Sequence, residues 1–239
     1  MLETITLSSA MPSASRYRIT DIKAAMRDQN RVNIYLDDKF FCSLDISQVV
    51  DFHLKIGKTL DDTERIQLRR ASDFGKFYAR ALEYALMRPR SSKEIRDYLQ
   101  RKTLTRKIRV KNRKTGEYQT KDKAGYDASL VPLVFARLEE RGYINDLHFA
   151  TLWLENRHVS KGASLKKLRQ ELQQKGISQT IIEQVLAETD RNDSDELRKL
   201  ITKKRAKYPD EQKFIQYLLR AGFNYPDILD ALSELSSGA

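Results

Sequence analysis

The segment Lys55-Ile-Gly57-Lys58-Thr59 ends like a phosphate-binding loop, in which backbone amides wrap the phosphates and a lysine reaches the outer ones. Such a loop needs a glycine five residues before Gly57, and Phe52 stands there. A side chain at that position blocks the wrap, so the motif is rejected. His53, His148 and His158 are scattered, with no cysteine or carboxylate at metal-ligand spacing. There is no Gly-x-Ser-x-Gly, and a Cys/His pair could draw only on Cys42, the single cysteine. The acidic pairs Asp61-Asp62 and Glu139-Glu140 lie where they favour helix starts or solvated faces. No catalytic group, metal or cofactor is therefore expected, and the chain reads as a non-enzyme.

Cations remain as the chemistry on offer. The formal net charge is +11, which points to an anionic partner: nucleic acid first, then a membrane surface or an acidic protein. Between Arg101 and Lys123 ten basic residues face only Glu117 and Asp122, so this stretch alone carries +8. Within it, Lys107, Arg109, Lys111, Arg113 and Lys114 are candidates for an extra nucleic-acid contact; a tolerated surface insertion is the alternative. A second group is Arg157, Lys161, Lys166, Lys167 and Arg169. Lys166, Arg169, Gln170 and Gln173 fall on one helical face, distinct from the apolar stripe Leu165, Leu168 and Leu172. Lys161-Gly162 precedes that helix as a basic loop near amide donors. A third group is Lys203, Lys204, Arg205 and Lys207. Each group also reads as an ordinary solvated face, and several in one elongated chain favour an anionic polymer. Phe149, Ala150, Trp153 and Leu154 share helical spacing and read as core, not as a base-stacking platform.

These groups need elements to hold them. Residues 1–15 are small and polar, lack a basic stretch followed by a long apolar one, and are expected to be a disordered terminus with no secretory leader. Tyr17, Ile19 and Ile22 mark a short extended stretch. Val32, Ile34 and Leu36 alternate with polar residues, and Phe40, Cys42 and Leu44 resume the alternation after Asp37-Asp38. That is the pattern of a β-hairpin, its turn type left open. Asp45 can cap a short helix over 46–53. From Asp61 onward the periodicity is helical, and Ser91-Ser92-Lys93-Glu94 has the form of a capping box. No run approaches the ~20 apolar residues of a membrane span. The lone cysteine suits a reducing cytoplasm and a small buried side chain.

A motif recurs: leucine, three residues, glycine, then a large apolar residue. It stands at Leu138–Tyr143, Leu172–Ile177 and Leu218–Phe223, and at Leu99–Leu104 with Thr103 replacing glycine. Its physics is a helix C-terminus, where glycine takes the left-handed conformation and the apolar residue folds back. Residues 177–188 also align without gaps on 223–234. The expected organisation is an extension over 16–60, a connecting helix over 61–76, and three units at 77–146, 147–190 and 193–236. The first unit carries a basic insertion at about 105–126. Without it each unit has roughly 45 residues, a usual helical-repeat size.

The stretches 81–99, Leu138-Glu-Glu-Arg-Gly-Tyr-Ile-Asn-Asp146, Phe149-Ala-x-x-Trp153-x-x-x-Arg157, Lys161-Gly162 and 168–177 resemble the RecX family, regulators of the RecA recombinase. The resemblance implies a mainly α fold of three tandem three-helix repeats in an elongated, curved array, preceded by a small β-hairpin-containing region. It implies binding in the helical groove of the RecA–single-stranded DNA filament, with inhibition of ATP turnover and strand exchange or promotion of filament loss. The polar ends of the terminal repeats suggest a monomer, and a general nucleic-acid-binding protein without a recombinase partner is the alternative. The insertion at 105–126 departs from the family pattern.

Overall fold

The computed structural model describes residues 16–26, 28–112, 115–160 and 162–237, with side chains undescribed at 157–160 and 235–237. Among the described residues the fold is mainly helical, with an antiparallel sheet at the N-terminal end. The terminus 1–15, Arg113, Lys114, Lys161 and the Arg157 side chain lie outside the described residues. The chain divides into two compact units, one up to Arg80 and one from Ala81.

The first unit holds strands β1 (Tyr17–Ala25), β2 (Asp28–Leu36), β3 (Lys39–Asp45) and β4 (Thr59–Leu60), with helix α1 (Ile46–Asp51) between the last two. The sheet order is β3-β2-β1-β4, with every pairing antiparallel. Asp37 and Asp38 join β2 to β3 with φ of 47° and 64°. Two consecutive left-handed residues make a type I′ turn, whose twist matches the strands and which aspartate tolerates. The Asp37 carboxylate accepts from the Arg18 amide, and the Asp38 amide donates to Thr20 Oγ1. Ile19, Ile34, Leu36, Cys42 and Leu44 form the core with Leu54, Leu60 and Leu68. Helix α2 (Asp62–Leu86) is continuous through the expected boundary at 76/77. Its Ser72 hydroxyl donates to the Ser43 carbonyl at 2.7 Å, fastening it to β3.

The second unit begins within α2. It continues with α3 (Ser92–Thr103), a hairpin of β5 (Arg106–Lys111) and β6 (Tyr118–Lys123), a 3-10 turn (Ala128–Leu130), α4 (Val131–Glu140) and α5 (Asp146–Ser160). Then come α6 (Leu165–Gln174), α7 (Gln179–Ala187), α8 (Asp193–Lys204), a 3-10 turn (Arg205–Lys207), α9 (Glu211–Arg220) and α10 (Tyr225–Ser237). Side-chain caps start these helices: Ser91, Ser164, Ser178, Asn192 and Asp210 each accept an amide of the first turn. Gly142, Gly176 and Gly222 end α4, α6 and α9 with φ of 73°, 79° and 95°. One core gathers Phe149, Ala150, Leu154, Leu168, Leu172, Ile182 and Val185 from α5, α6 and α7. Another gathers Leu197, Leu200, Ile201, Phe214, Leu218 and Ile228 from α8, α9 and α10.

One local expectation needs correction. The Ser91 hydroxyl accepts from the Glu94 amide at 3.2 Å, but the Glu94 carboxylate does not reach back to close a capping box. It takes Arg88 and Lys175 instead. The motif at Leu138–Tyr143 closes α4, a helix that precedes the α5–α6–α7 core. Its copies at Leu172 and Leu218 close α6 and α9, each the middle helix of its core. A helix-end signal is local, so the same letters serve in two different places.

Candidate functional site

The second unit is joined by a junction that occurs twice. At the first, the Ser92 amide donates to Asp146 Oδ1 at 2.7 Å, so the start of α3 is held by the start of α5. At the second, the Leu165 amide donates to Asp193 Oδ1 at 2.8 Å, so the start of α6 is held by the start of α8. The same helix N-termini also meet a helix C-terminus further along. Ser91 Oγ donates to the Lys175 carbonyl at 2.7 Å, and the Ser164 amide donates to the Ala221 carbonyl at 3.0 Å. Each acceptor immediately precedes a left-handed glycine, Gly176 or Gly222. A Cβ on Gly176 would lie 2.6 Å from Lys93 Cβ, and one on Gly222 would lie 2.4 Å from Ser164 Oγ and 2.7 Å from Lys167 Cβ. An orphan carbonyl at one helix end is thus met by the N-cap residue of another helix, through its hydroxyl at the first junction and through its amide at the second.

Charged groups reinforce both junctions. Glu94 bridges Arg88 and Lys175, at 3.1 and 2.8 Å. Burial pushes its carboxyl up, but the hydrogen bonds from Lys175 and Arg88 outweigh this and hold it below the usual carboxylate range. Arg191, whose side chain is 1% exposed, donates to the Ala163 carbonyl and pairs with Glu196 at 3.5 Å. Burial lowers its pKa, with Glu196 and Asp193 opposing. None of these residues was singled out as a site in the sequence. The signal present was a repeated Asn-Asp pair, 145–146 and 192–193. In both, the asparagine caps its helix through Oδ1 and the aspartate crosses to the earlier helix.

The candidate cations fall on three places. Lys166 and Lys167 sit on the first turn of α6, at the second junction; Lys166 is exposed and Lys167 half-buried against Gly222. Neither has an ion-pair partner among the described residues. Arg169 is held by Glu183, with Nε and Nη2 at 3.2 and 3.0 Å from its two oxygens. Lys203 and Lys204 end α8, where cations complement the helix dipole. Arg205 donates to the Tyr208 carbonyl and approaches Glu211 at 3.7 Å. Beside this turn, Tyr208, Phe214 and Tyr217 stack with centroids 5.0–6.3 Å apart. Burial, with Tyr208 adding to it, raises the Tyr217 hydroxyl pKa. No hydrogen bond or ion pair joins the α6 group to the α8–α9 group among the described residues.

The third place is the β5–β6 hairpin. Paired residues share a face, so Lys107, Arg109 and Lys111 stand with Asp122, Thr120 and Tyr118. The other face carries Arg106, Ile108 and Val110 with Lys123, Lys121 and Gln119. Apart from the half-buried Ile108, every side chain of the two strands is exposed. Trp153 stacks on Phe149, donates to Glu171 at 3.3 Å and lies under Lys175 at 4.9 Å, packed against the α5–α6–α7 core. Among the described residues, no three His, Cys, Asp or Glu side chains are grouped to hold a metal. No described helix is long and apolar enough to cross a membrane.

Residues 17–61 match the model of the RecX N-terminal domain, and residues 145–186 match that of the RecX second three-helix domain. A Regulatory protein RecX of Bacillus pumilus is 30% identical over 227 residues, spanning 92% of this chain and 78% of the relative. This chain belongs to the RecX family. A RecX of Bacillus licheniformis is 29% identical over 223 residues, 90% of this chain and 76% of the relative. A crystal structure of a regulatory protein RecX superposes with a TM-score of 0.67 at 24% identity, covering 90% of this chain and 99% of that one. At that identity the superposition speaks for the fold. The second RecX match, 145–186, spans α5, α6 and α7, the three helices of one core.

Proposed function

We propose that this RecX-family chain regulates RecA by binding along the helical groove of the RecA–single-stranded DNA filament, inhibiting ATP turnover and strand exchange without chemistry of its own. In this reading three three-helix repeats (77–146, 147–190 and 193–236) form an elongated, curved array that works as a monomer, in the cytoplasm, with no cofactor. The extension 16–60 and helix 61–76 lead into it. The observation that carries the reading is the junction made twice with the same parts. It couples successive helix groups through a backbone amide on a carboxylate and through an N-cap serine, by hydroxyl or amide, on a carbonyl beside a glycine. A strut built this way resists bending at its joints, so contacts on successive RecA protomers reinforce each other and hold the filament in one geometry.

The cations would supply the attraction. Arg157, Lys161, Lys166, Lys167 and Arg169 form one set; Lys203, Lys204, Arg205 and Lys207 form the other. Lys166, Lys167, Lys203, Lys204 and Lys207 carry no ion pair among the described residues, which leaves their charge available to phosphates or acidic side chains. Arg169 would exchange Glu183 for the filament, a small cost because an exposed pair contributes only ~0–1 kcal/mol. Titrating the chain into RecA hydrolysing ATP on single-stranded DNA tests the reading. The rate is expected to fall, and an unchanged rate at severalfold excess over RecA would refute it.

The second reading, a general nucleic-acid-binding protein without a recombinase partner, is favoured by one feature, the exposed cationic hairpin with Lys107, Arg109 and Lys111. A pull-down of RecA in the absence of DNA separates the two, since only the first reading expects capture.

A further inference from the structure

The β5–β6 hairpin has no structural work that accounts for its composition. Its six-pair ladder is complete, yet nearly all its side chains face solvent. A lone two-stranded hairpin is marginal in water, and this one opposes Arg106 directly to Lys123, a like-charge pair that works against the ladder. Six described cations stand on its strands against Asp122 alone. Its root is nevertheless fixed. The Tyr126 amide donates to the Lys102 carbonyl at 3.0 Å, and a Cβ on Gly125 would lie 2.1 Å from the Thr103 carbonyl oxygen. A self-repelling ribbon on a firm base is a surface arranged for an external polyanion.

We propose that this ribbon enters the major groove of double-stranded DNA and contacts the phosphates on both walls, as a site separate from the helical surface assigned to the filament. The inference rests on the reading of the hairpin as an extra nucleic-acid contact, and it needs no RecA. Three observations select a duplex over a single strand. A two-stranded ribbon fits a groove about 12 Å wide. The charge lies on both faces: Lys107, Arg109 and Lys111 on one, Arg106, Lys121 and Lys123 on the other. A single strand lies along one face only, whereas groove walls flank both. Finally, single-strand sites use aromatic platforms for bases. The hairpin strands offer one aromatic, Tyr118, and Arg109 already sits over its ring at 5.0 Å. Same-face cations along β5 are spaced by roughly 6.7 Å, two strand residues, so each can meet a separate phosphate. With phosphates as the ligands, binding is expected to be tolerant of sequence.

The test is fluorescence anisotropy of the full chain, without RecA, on a labelled mixed-sequence duplex and on one of its strands, across a salt series. Two triple variants are compared: K107Q/R109Q/K111Q and R106Q/K121Q/K123Q. Each is expected to weaken duplex binding at least tenfold and to reduce the slope of log affinity against log salt by about 3, close to 0.9 for each phosphate no longer neutralised. Single-strand binding is expected to change less than the duplex does. Circular dichroism is expected to keep its helical signal, because the hairpin buries none of the helical cores. Unchanged duplex affinity in both variants, weakening in one variant only, or equal weakening on duplex and single strand would each overturn the proposal. RecA inhibition is read separately on the same variants. Its retention when duplex binding is abolished separates this site from the filament surface, and its absence in the parent chain counts against the filament reading alone.

Discussion

Three glycines end helices in the left-handed conformation, and changing each to alanine separates the junction from the helix end. Gly142, Gly176 and Gly222 have φ of 73°, 79° and 95°, so each alanine carries the left-handed penalty of about 1–2 kcal/mol. At Gly142 that is the whole cost, because an added Cβ meets nothing within 4 Å. At Gly222 the methyl would stand 2.4 Å from Ser164 Oγ and 2.7 Å from Lys167 Cβ, with the Lys167 amide nitrogen at 3.2 Å. At Gly176 it would stand 2.6 Å from Lys93 Cβ. These Cβ atoms are rooted in helix backbone, so the first turn of α6 or α3 must move away. At Gly222 the movement strains the hydrogen bond that the Ser164 amide donates to the Ala221 carbonyl, and one such bond contributes about 1 kcal/mol net. Together with the left-handed penalty, the loss at Gly222, and at Gly176 through the Ser91 hydroxyl bond to the Lys175 carbonyl, comes to about 2–3 kcal/mol, against about 1–2 at Gly142. Urea denaturation followed by circular dichroism measures all three, and hydrogen exchange at the Ser164 amide is expected to speed up in Gly222→Ala alone. If the three variants lose the same stability to within about 0.5 kcal/mol, the additivity error for independent sites, the junction contributes nothing and the reasoning fails.

Other outcomes follow from single groups. Burial pushes the Cys42 thiol up to about 11 and leaves it fully covered, so it is expected to resist a disulfide reagent at neutral pH until urea unfolds the first unit; rapid labelling of the native chain would contradict its place in the core. Glu94 is held below the usual carboxylate range in the folded state, so its stabilisation is present above the unfolded value of about 4.3 and is lost as pH falls through the lower folded value. Glu94→Gln is therefore expected to melt lower than the parent at pH 7, with the gap closing in acid; a gap independent of pH would assign the effect to shape and not to charge. Lys166→Glu is expected to weaken filament binding severalfold with melting nearly unchanged, as suits an exposed residue. Arg169→Glu puts a like charge beside Glu183 and is expected to cost a few tenths of a kcal/mol of stability as well. A large stability loss in Lys166→Glu would mean that this face is packed.

Much of this was legible in the sequence because it is local. The alternation of Val32, Ile34, Leu36, Cys42 and Leu44 marks the hairpin, and a glycine after an apolar stripe marks the ends of α6 and α9. Strand β1 shows in the sequence only as a short stretch because two irregularities, between Ile19 and Asp21 and between Ala24 and Ala25, break its period of two. Strand β4 is two residues long and carries no period at all. The candidate cations were legible as charge, but not their partners: Glu183 for Arg169 and Glu211 for Arg205 depend on how helices meet. The junctions were hidden for the same reason. Ser92 and Asp146 are 54 positions apart, and Ser91 and Lys175 are 84 apart. Local spacing says that an aspartate follows a helix cap; only the packed helices say whose amide it receives.

The most direct measurement is the steady-state rate of ATP hydrolysis by RecA on single-stranded DNA as this chain is added. A saturable fall in rate is expected for the parent and a right-shifted curve for Gly222→Ala, in which one joint of the strut is loosened. A rate unchanged at severalfold excess over RecA would contradict it.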